Sequence, residues 1–412
     1  MGYQQGLSGL SASSNDLDVI GNNIANANTI GFKQSTAQFA DLYANTIATS
    51  VNDQIGIGTQ LSGVQQDFKQ GTFNTTGQAL NVAINGTGFY QMSNNGALTY
   101  SRNGVFQLDK NGFITNSEGL KLMGYAANAN GVINSAQTVP IQVPTTNIAP
   151  IATQNITATL NLNAQDTAPT VTPFSATNSQ TYNYSTSIQT YDSLGGSQQV
   201  NMYFVKTASN AWDVYSGPAS GTINKVGSVG FSTAGTLTST TATAPATSPS
   251  TGQLAFTIPN TDGSATPQSL TLDMSGTTQY GGKDGVTNLS QDGFASGELT
   301  NFSIGADGTI SGTYSNGRTQ SLGQIVLANF NNPNGLQNLG NNEFGETAAS
   351  GVPQISAPGS TNHGTLTGGA VENSNVDLTS QLVDLITAQR NYQANAQTIK
   401  TQQAVDQALI NL

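Results

Sequence analysis

The 412-residue chain has no cysteine, which excludes disulfide staples, thiolate metal sites and cysteine nucleophiles. It has a single histidine, His363, so catalytic triads, histidine metal clusters and HExxH sites lack their imidazoles. In "STNHGTL" that residue reads as an ordinary loop position. Charged residues make up only 8% of the chain, against roughly 25% in ordinary globular domains, and the polar surface must be built from neutral Asn, Gln, Ser and Thr. The net charge is −11 and no stretch gathers Lys and Arg, so binding to nucleic acid or anionic lipid is not expected. No run of eighteen apolar residues is present, and membrane insertion by a helix is not expected. The first basic residue is Lys33, and a secretory signal peptide is likewise not expected.

What is present divides into two similar ends and a different middle. Hydrophobic residues are 36% of the chain, enough at this length for the cores of two to four domains. Residues 3, 7, 10, 14, 17, 21, 24 and 28 alternate in steps of four and three and read Tyr, Leu, Leu, Ser, Leu, Gly, Ile, Asn, a weak coiled-coil seam. Residues 378, 382, 385, 389, 392, 396, 399 and 403 repeat the pattern as Leu, Leu, Leu, Gln, Tyr, Ala, Ile, Gln, and Leu409 continues the stripe after a break in phase. Asn375 or Asp377 is placed to cap this second helix. The first helix carries Gly2, Gly6, Gly9 and Gly21, each costing up to about 1 kcal/mol relative to Ala. It is expected to order only where partner surface buries Leu10, Leu17 and Ile24.

Between the ends the period changes to two. Leu80, Val82 and Ile84 alternate with Asn81, Ala83 and Asn85, and Val200, Met202 and Phe204 alternate in the same way, as strands do. Asn-Gly pairs at Asn85, Asn95, Asn103, Asn111, Asn316 and Asn334 suit tight turns, and "ISGTYSNGRTQSL" reads as a hairpin turning at Asn316 and Gly317. Residues 232–251, crowded with Thr, Ser, Ala and Pro, read as a flexible outer loop, with a solvated edge hairpin as the alternative. Pro140, Pro144 and Pro150 mark an earlier seam. The expected fold class is mainly β with α-helical termini in a discontinuous multi-domain chain. Residues 1–32 with 370–412 form a helical coiled-coil part, and 33–70 with 350–369 connect it. Residues 71–149 with 286–349 make an inner β domain, and 150–285 an outer one.

Few residues invite a chemical reading. Asp16 and Asp18 stand roughly 200° apart on a helix, cannot pair as acid and base, and read as a solvated face. "QLDKNGFITNSE" places Asp109, Asn111, Gly112 and Glu118 near calcium-loop positions, but Gln107 stands where the first carboxylate belongs, and a β-turn at Asn111 is expected instead. "GIGTQLSG" lacks phosphate-loop spacing and its Lys. Trp212 with Tyr215 is the one modest aromatic pair that a glycan- or surface-binding adhesin would use, and both read as core strand residues. No cofactor and no metal are implied, and no enzyme activity is expected.

"LDVIGNNIANANTIGFK" (Leu17 to Lys33) resembles the N-terminal signature of the bacterial flagellar rod and hook axial proteins, and "LVDLITAQRNYQANAQTIKTQQAVDQAL" (Leu382 to Leu409) is similar to their C-terminal signature. "DFKQGTFNTTGQALNVAINGTGFYQM" and "YSRNGVFQLDKNGFITNSEGLKLMGY" resemble the β region that rod and hook subunits share. The similarity covers roughly residues 1–125 and 365–412. The length and the extra outer domain favour a hook-type subunit, with a distal-rod-type protein and a secreted β-rich adhesin as the alternatives.

The resemblance implies a structural subunit that self-assembles into a curved helical tube on the outside of the cell and serves as a flexible joint passing torque from rod to filament. Its implied partners are copies of itself, the rod, the hook cap and hook-filament junction proteins, and the flagellar export apparatus. The implied polymerisation seam is Leu7, Leu10, Leu17, Ile24, Leu378, Leu382, Leu385, Tyr392, Ile399 and Leu409. The family signature falls on Asn22, Asn23, Asn26, Asn28, Gly31, Phe32 and Lys33. Two readings of that signature stay open: an export or docking element, or a helix end with Gly31 as the left-handed residue past the C-cap.

Overall fold

The computed structural model describes residues 2–42 and 56–410. It has helices at both ends, α1 (Gly2–Ala25) and α2 (Leu378–Ile410), with β structure between them. The side chain of Leu409 lies outside the described residues. The chain forms two compact units, which keep the names inner (residues 1–145, 301–313 and 319–412) and outer (residues 146–300 and 314–318) from the sequence reading.

In the inner unit, strands run in the order Thr309–Tyr314, Thr319–Ile325, Lys121–Ala126, Phe89–Asn94, Ala97–Ser101, Glu343–Gly345, Gln337–Gly340. Phe89, Tyr100, Ala328, Phe330 and Phe344 form a buried cluster, with Phe68 packed on it. Rings meet edge to face at centroid distances of 5.5 Å for Phe68–Phe89 and 4.8 Å for Tyr100–Phe330, the arrangement aromatic quadrupoles favour. Two small antiparallel pairs stitch the end of the chain to its beginning. Thr365–Gly368 lies on Val82–Asn85, and Ala370–Glu372 lies on Phe73–Thr75. α2 therefore starts where α1 ends, and both helices belong to one folded body.

Residues 33–70, read from sequence as a connecting segment, contain an antiparallel hairpin of β1 (Ser35–Leu42) and β2 (Gly58–Gln66). A two-stranded ribbon is marginal alone, and this one leans on α1: Gln5 Nε2 donates to the Gly56 carbonyl at 2.7 Å, and the Thr59 amide donates to Ser8 Oγ at 3.3 Å.

The outer unit is a two-sheet sandwich. One sheet runs Tyr184–Tyr191, Ser197–Ala208, Ala211–Pro218, Asn224–Phe231, Leu237–Ala242; the other centres on Asn155–Asn163. Inward residues at alternate positions, among them Ile156, Leu160, Met202, Phe204, Trp212, Leu254 and Leu272, fill the space between them. Trp212 is fully buried and donates from Nε1 to Gln279 Oε1 at 2.9 Å. Tyr215, one residue out of phase, lies on the opposite face and stacks on Phe174 at 4.0 Å.

Three sequence readings change. Within residues 232–251 the edge hairpin, the alternative reading, holds in place of the loop: Leu237–Ala242 pairs with Asn224–Phe231, because strand pairing absorbs a Thr-rich segment that hydrophobic patterning cannot mark. The outer unit extends to Thr300 rather than ending at 285, since Gly285–Gln291 completes the sheet beside Asn155–Asn163. Not every Asn-Gly pair is a tight turn. Asn95 takes φ 51° and Gly317 φ 77°, whereas Asn334 and Gly335 sit in a short 3-10 helix. The 107–118 segment is a turn closed by Asp109, whose Oδ1 accepts from the Asn111 and Phe113 amides at 2.8 Å each.

Trp212→Ala removes the largest side chain of the outer core. It should destabilise that unit by about 3–5 kcal/mol, read as a lowered urea midpoint for a fragment reporter in the outer sandwich while the far-UV helical signal of the termini is retained.

Candidate polymerisation surface

α1 and α2 run antiparallel. Near the start of α1, a Cβ added at Gly6 would lie 2.9 Å from Ile399 Cγ1, and one at Gly9 would lie 2.8 Å from the Asn395 amide. Ser13 Oγ accepts from Asn395 Nδ2 at 3.3 Å. Near its end, Asn23 Nδ2 donates to Gln381 Oε1 at 2.9 Å. Gly6, Ser13, Ile20 and Asn23 of α1 and Gln381 and Ala388 of α2 are buried. The glycines that weaken α1 in isolation are what allow this close approach, and the lost helix propensity is offset by contact with a neighbouring helix.

The seam inside the chain is therefore made mainly of small and amide residues, with Ile20 buried among them and Ile399 against Gly6, about one position out of phase with most of the large apolar residues marked from sequence. Leu10, Leu17, Ile24, Leu385 and Ile399 are half-buried along its margins. Leu7 is 52% exposed, and Leu378, Leu382 and Tyr392 also remain exposed. Beside them Tyr3, Val383, Ile386 and Val405 are exposed too. An uncovered apolar face of this extent marks an interaction surface. The sequence reading missed Val383 and Ile386, because a strict four-three count admits only one stripe and these residues form a second.

The signature after α1 is a structural joint. α1 ends at Ala25, and Asn26 Nδ2 bonds back to the Asn22 carbonyl and side chain at 3.0 and 2.6 Å. Asn22 and Asn28 are exposed, and Phe32 is half-buried. Asn23 is buried and clasps β1, donating to the Ser35 carbonyl at 2.7 Å and accepting from the Ser35 amide at 2.9 Å. Gly31 has φ 72°, but it stands six positions beyond Ala25 rather than at the helix C-cap. A Cβ there would meet the Arg102 carbonyl carbon at 2.9 Å, so both conformation and space require glycine.

Lys33 ends the signature in a buried ion pair. Its Nζ lies 2.7 Å from Glu372 Oε1, with side-chain exposures of 0% and 1%, and it also donates to the Lys69 carbonyl at 2.7 Å. Glu372 Oε1 accepts from the Gly71 amide at 2.9 Å. Arg102 Nε lies 3.4 Å from Glu372 Oε2, while its guanidinium donates to the Gly86 and Gly88 carbonyls. Burial and the Arg102 charge push the Lys33 ammonium below its ordinary range, and Glu372 pulls it back. Nearby, Asn375 accepts from the Gln34 amide at 2.7 Å and donates to the Asp67 carbonyl at 2.8 Å. The cap of α2 is Asp377, whose Oδ1 accepts from the Thr379 amide at 2.9 Å. Glu372 escaped the sequence reading because nothing in "GGAVENSN" distinguishes a buried carboxylate from a solvated one.

Family models place this chain, with its paired terminal helices and its β units, among the flagellar axial proteins of the rod and hook class. Residues 4–33 match the flagella basal body rod protein model, 83–161 the flagellar hook protein FlgE/F/G D1 domain, 161–294 the flagellar basal body protein FlaE D2 domain, and 367–412 the flagellar basal body rod FlgEFG protein C-terminal model. Flagellar hook protein FlgE of Escherichia coli (strain K12) is 42% identical over 419 residues, covering 100% of both chains. That of Salmonella typhimurium is 41% identical over 426 residues, again covering 100% of both. That of Treponema pallidum is 31% identical over 99% of this chain and 98% of its own. The crystal structure of Helicobacter pylori flagellar hook protein FlgE2 shares the fold with a TM-score of 0.51 at 14% identity, over 71% of this chain and 98% of that one. The chain belongs to the flagellar hook protein family, whose members are structural subunits of the extracellular flagellar hook.

Glu372→Gln leaves Lys33 and Arg102 buried without a counter-ion and should cost about 3–5 kcal/mol. The measurement is a urea titration of the inner unit, where an unchanged midpoint would show that the pair is not the joint between the chain ends.

Proposed function

We propose that the chain builds the hook as a curved helical tube through the uncovered apolar faces of α1 and α2. Leu7, Leu378, Leu382, Tyr392 and their neighbours Val383 and Ile386 pack on other copies, while Leu10, Leu17, Ile24, Leu385 and Ile399 line the margin of the intrachain pair, and Leu409 continues the stripe in the sequence. The observation that carries this reading is the phase offset. Mainly small and amide residues, with Ile20 and Ile399, hold the two helices of one chain together, and the exposed row of Leu, Val, Ile and Tyr stays outside for contacts that are heterologous and do not close, which generate a helical assembly rather than a ring.

The β units serve as the mechanical wall. A hook bends once per turn while resisting twist, so neighbouring subunits slide against one another. Surfaces of Asn, Gln, Ser and Thr with only 8% charge exchange hydrogen bonds through water at small cost, whereas interlocked apolar side chains hold one arrangement. The helices fasten and the β units slip, which suits a universal joint between rod and filament. The rod, the hook cap and hook-filament junction proteins are the partners at the two ends of such a tube, and the flagellar export apparatus is the route by which the subunit reaches it. The division of labour this reading uses is between the helices Gly2–Ala25 and Leu378–Ile410, narrower than the 1–32 and 370–412 read from sequence because Ala370–Glu372 is a strand, and the β units between them.

Leu382→Asp combined with Ile386→Asp places two carboxylates on the exposed face of α2 without touching the buried seam. The full-length variant should keep its helical content by circular dichroism and form no tubes by negative-stain electron microscopy under salting-out conditions in which the parent chain does. Tubes of normal diameter from the variant would overturn the assignment of this face.

A further inference from the structure

Charge is sparse on the two helices, so the few charged positions are informative. α1 carries Asp16 and Asp18 and no basic residue; α2 carries Asp384, Arg390, Lys400 and Asp406. Asp16 lies on the arc of α1 that buries Ser13, Ile20 and Asn23 against α2, and Asp384 stands one turn from buried Gln381, whose Nε2 donates to Asp384 Oδ2 at 3.3 Å. Partial burial and the Asp384 charge push the Asp16 carboxyl above its ordinary range, so two carboxylates repel one another beside the seam with no cation paired to either among the described residues. Asp16 had read from sequence as part of a solvated face; it is half-buried.

Arg390 is the complementary oddity. At 3.6 residues per turn it points away from the buried stripe of Gln381 and Ala388, and it stands on the exposed face that also presents Val383 and Ile386. It is exposed and has no ion pair among the described residues. Covering that apolar stripe with a second copy strips water from an unpaired guanidinium, which is unfavourable unless the covering surface supplies a carboxylate.

We propose that Arg390 of one copy seats against Asp16 and Asp384 of the next, and that this contact sets the register of the helix layer. This rests on the reading that the exposed face of α2 packs on other copies, and it adds which surface that face meets. The apolar stripe alone is permissive, since Leu, Val and Ile slide past one another with little preference for position. A guanidinium fork that bonds two carboxylates at once has one favourable position. The two patches lie on different faces of the same helix pair, so the contact is heterologous and open-ended, and opposite charges on otherwise neutral surfaces direct encounter as well as fit.

The test uses full-length protein and the critical concentration for tube formation, measured by sedimentation and electron microscopy. Arg390→Glu should raise it at least about tenfold, as should Asp16→Arg with Asp384→Arg, each with unchanged helical content. An equimolar mixture of the two variants restores both contacts if they alternate, and should form tubes near the parent concentration. If the double reversal does not fold, Asp384→Arg alone, at an exposed position, takes its place. Normal assembly of Arg390→Glu overturns the proposal, and so does a mixture of folded variants that fails to assemble. Loss on Lys400→Glu with none on Arg390→Glu also overturns it, by assigning the cation elsewhere. Assembly of the Leu382→Asp, Ile386→Asp variant strikes the underlying reading instead. Blocked assembly there together with normal assembly of Arg390→Glu strikes this inference alone.

Discussion

The organisation of the inner unit depends on one buried ion pair. Lys33 closes the segment that follows α1, and Glu372 closes the last strand before α2, so their contact joins the two ends of a chain whose middle makes a long excursion into a second unit. Neither charge has solvent, and both are over-determined by backbone groups: the Lys69 carbonyl on one side and the Gly71 amide on the other. Such a pair gains little in net stability over an apolar substitute, but it tolerates few alternatives, because any misplacement leaves an uncompensated charge in the interior. Position is what the helices require. With Gly31 and Asn375 holding the flanking backbone, α1 and α2 leave the β body side by side and pointing in opposite chain directions.

That fixed exit explains how a glycine-rich helix persists. α1 spends helix propensity to bring its backbone against Ile399 and Asn395, and the hairpin of β1 and β2 supports another face. Leu7, Leu378, Leu382, Val383, Ile386, Tyr392 and Val405, which would contribute much through burial, are left outside. At about 25 cal/mol per Å² of apolar area removed from water, an exposed row of Leu, Val, Ile and Tyr is a reserve of association energy not drawn on within the chain. Assembly can then be strong along the helices while the weakly charged β surfaces remain free to exchange partners.

Much of this was legible in the residues. The period-two segments became strands, the paired end signatures located the helices, and the scarcity of charge, cysteine and histidine pointed to a structural role. The seam residues were legible as apolar but not as facing inward or outward. A heptad count identifies a stripe without naming its partner, and here two partners compete for one helix pair. Small and amide residues at Gly6, Gly9, Ser13 and Asn395, which a hydrophobic pattern passes over, belong to the intrachain contact. The Thr-rich hairpin at 237–242 was read only as the alternative to a loop for a related reason: its stability comes from backbone pairing to a neighbouring strand.

By itself the sequence determined the positions of the terminal helices and the alternation that builds the β units, since these follow from local periodicity, while the class of protein was legible through the resemblance of its end signatures to a known family. Tertiary structure alone decided that Lys33 meets Glu372, that Asn23 meets Gln381, and which face of α2 stays uncovered. Each of these joins residues more than three hundred positions apart or chooses between faces of one helix, and the physical quantities involved, distance and desolvation, exist only once the chain has closed on itself.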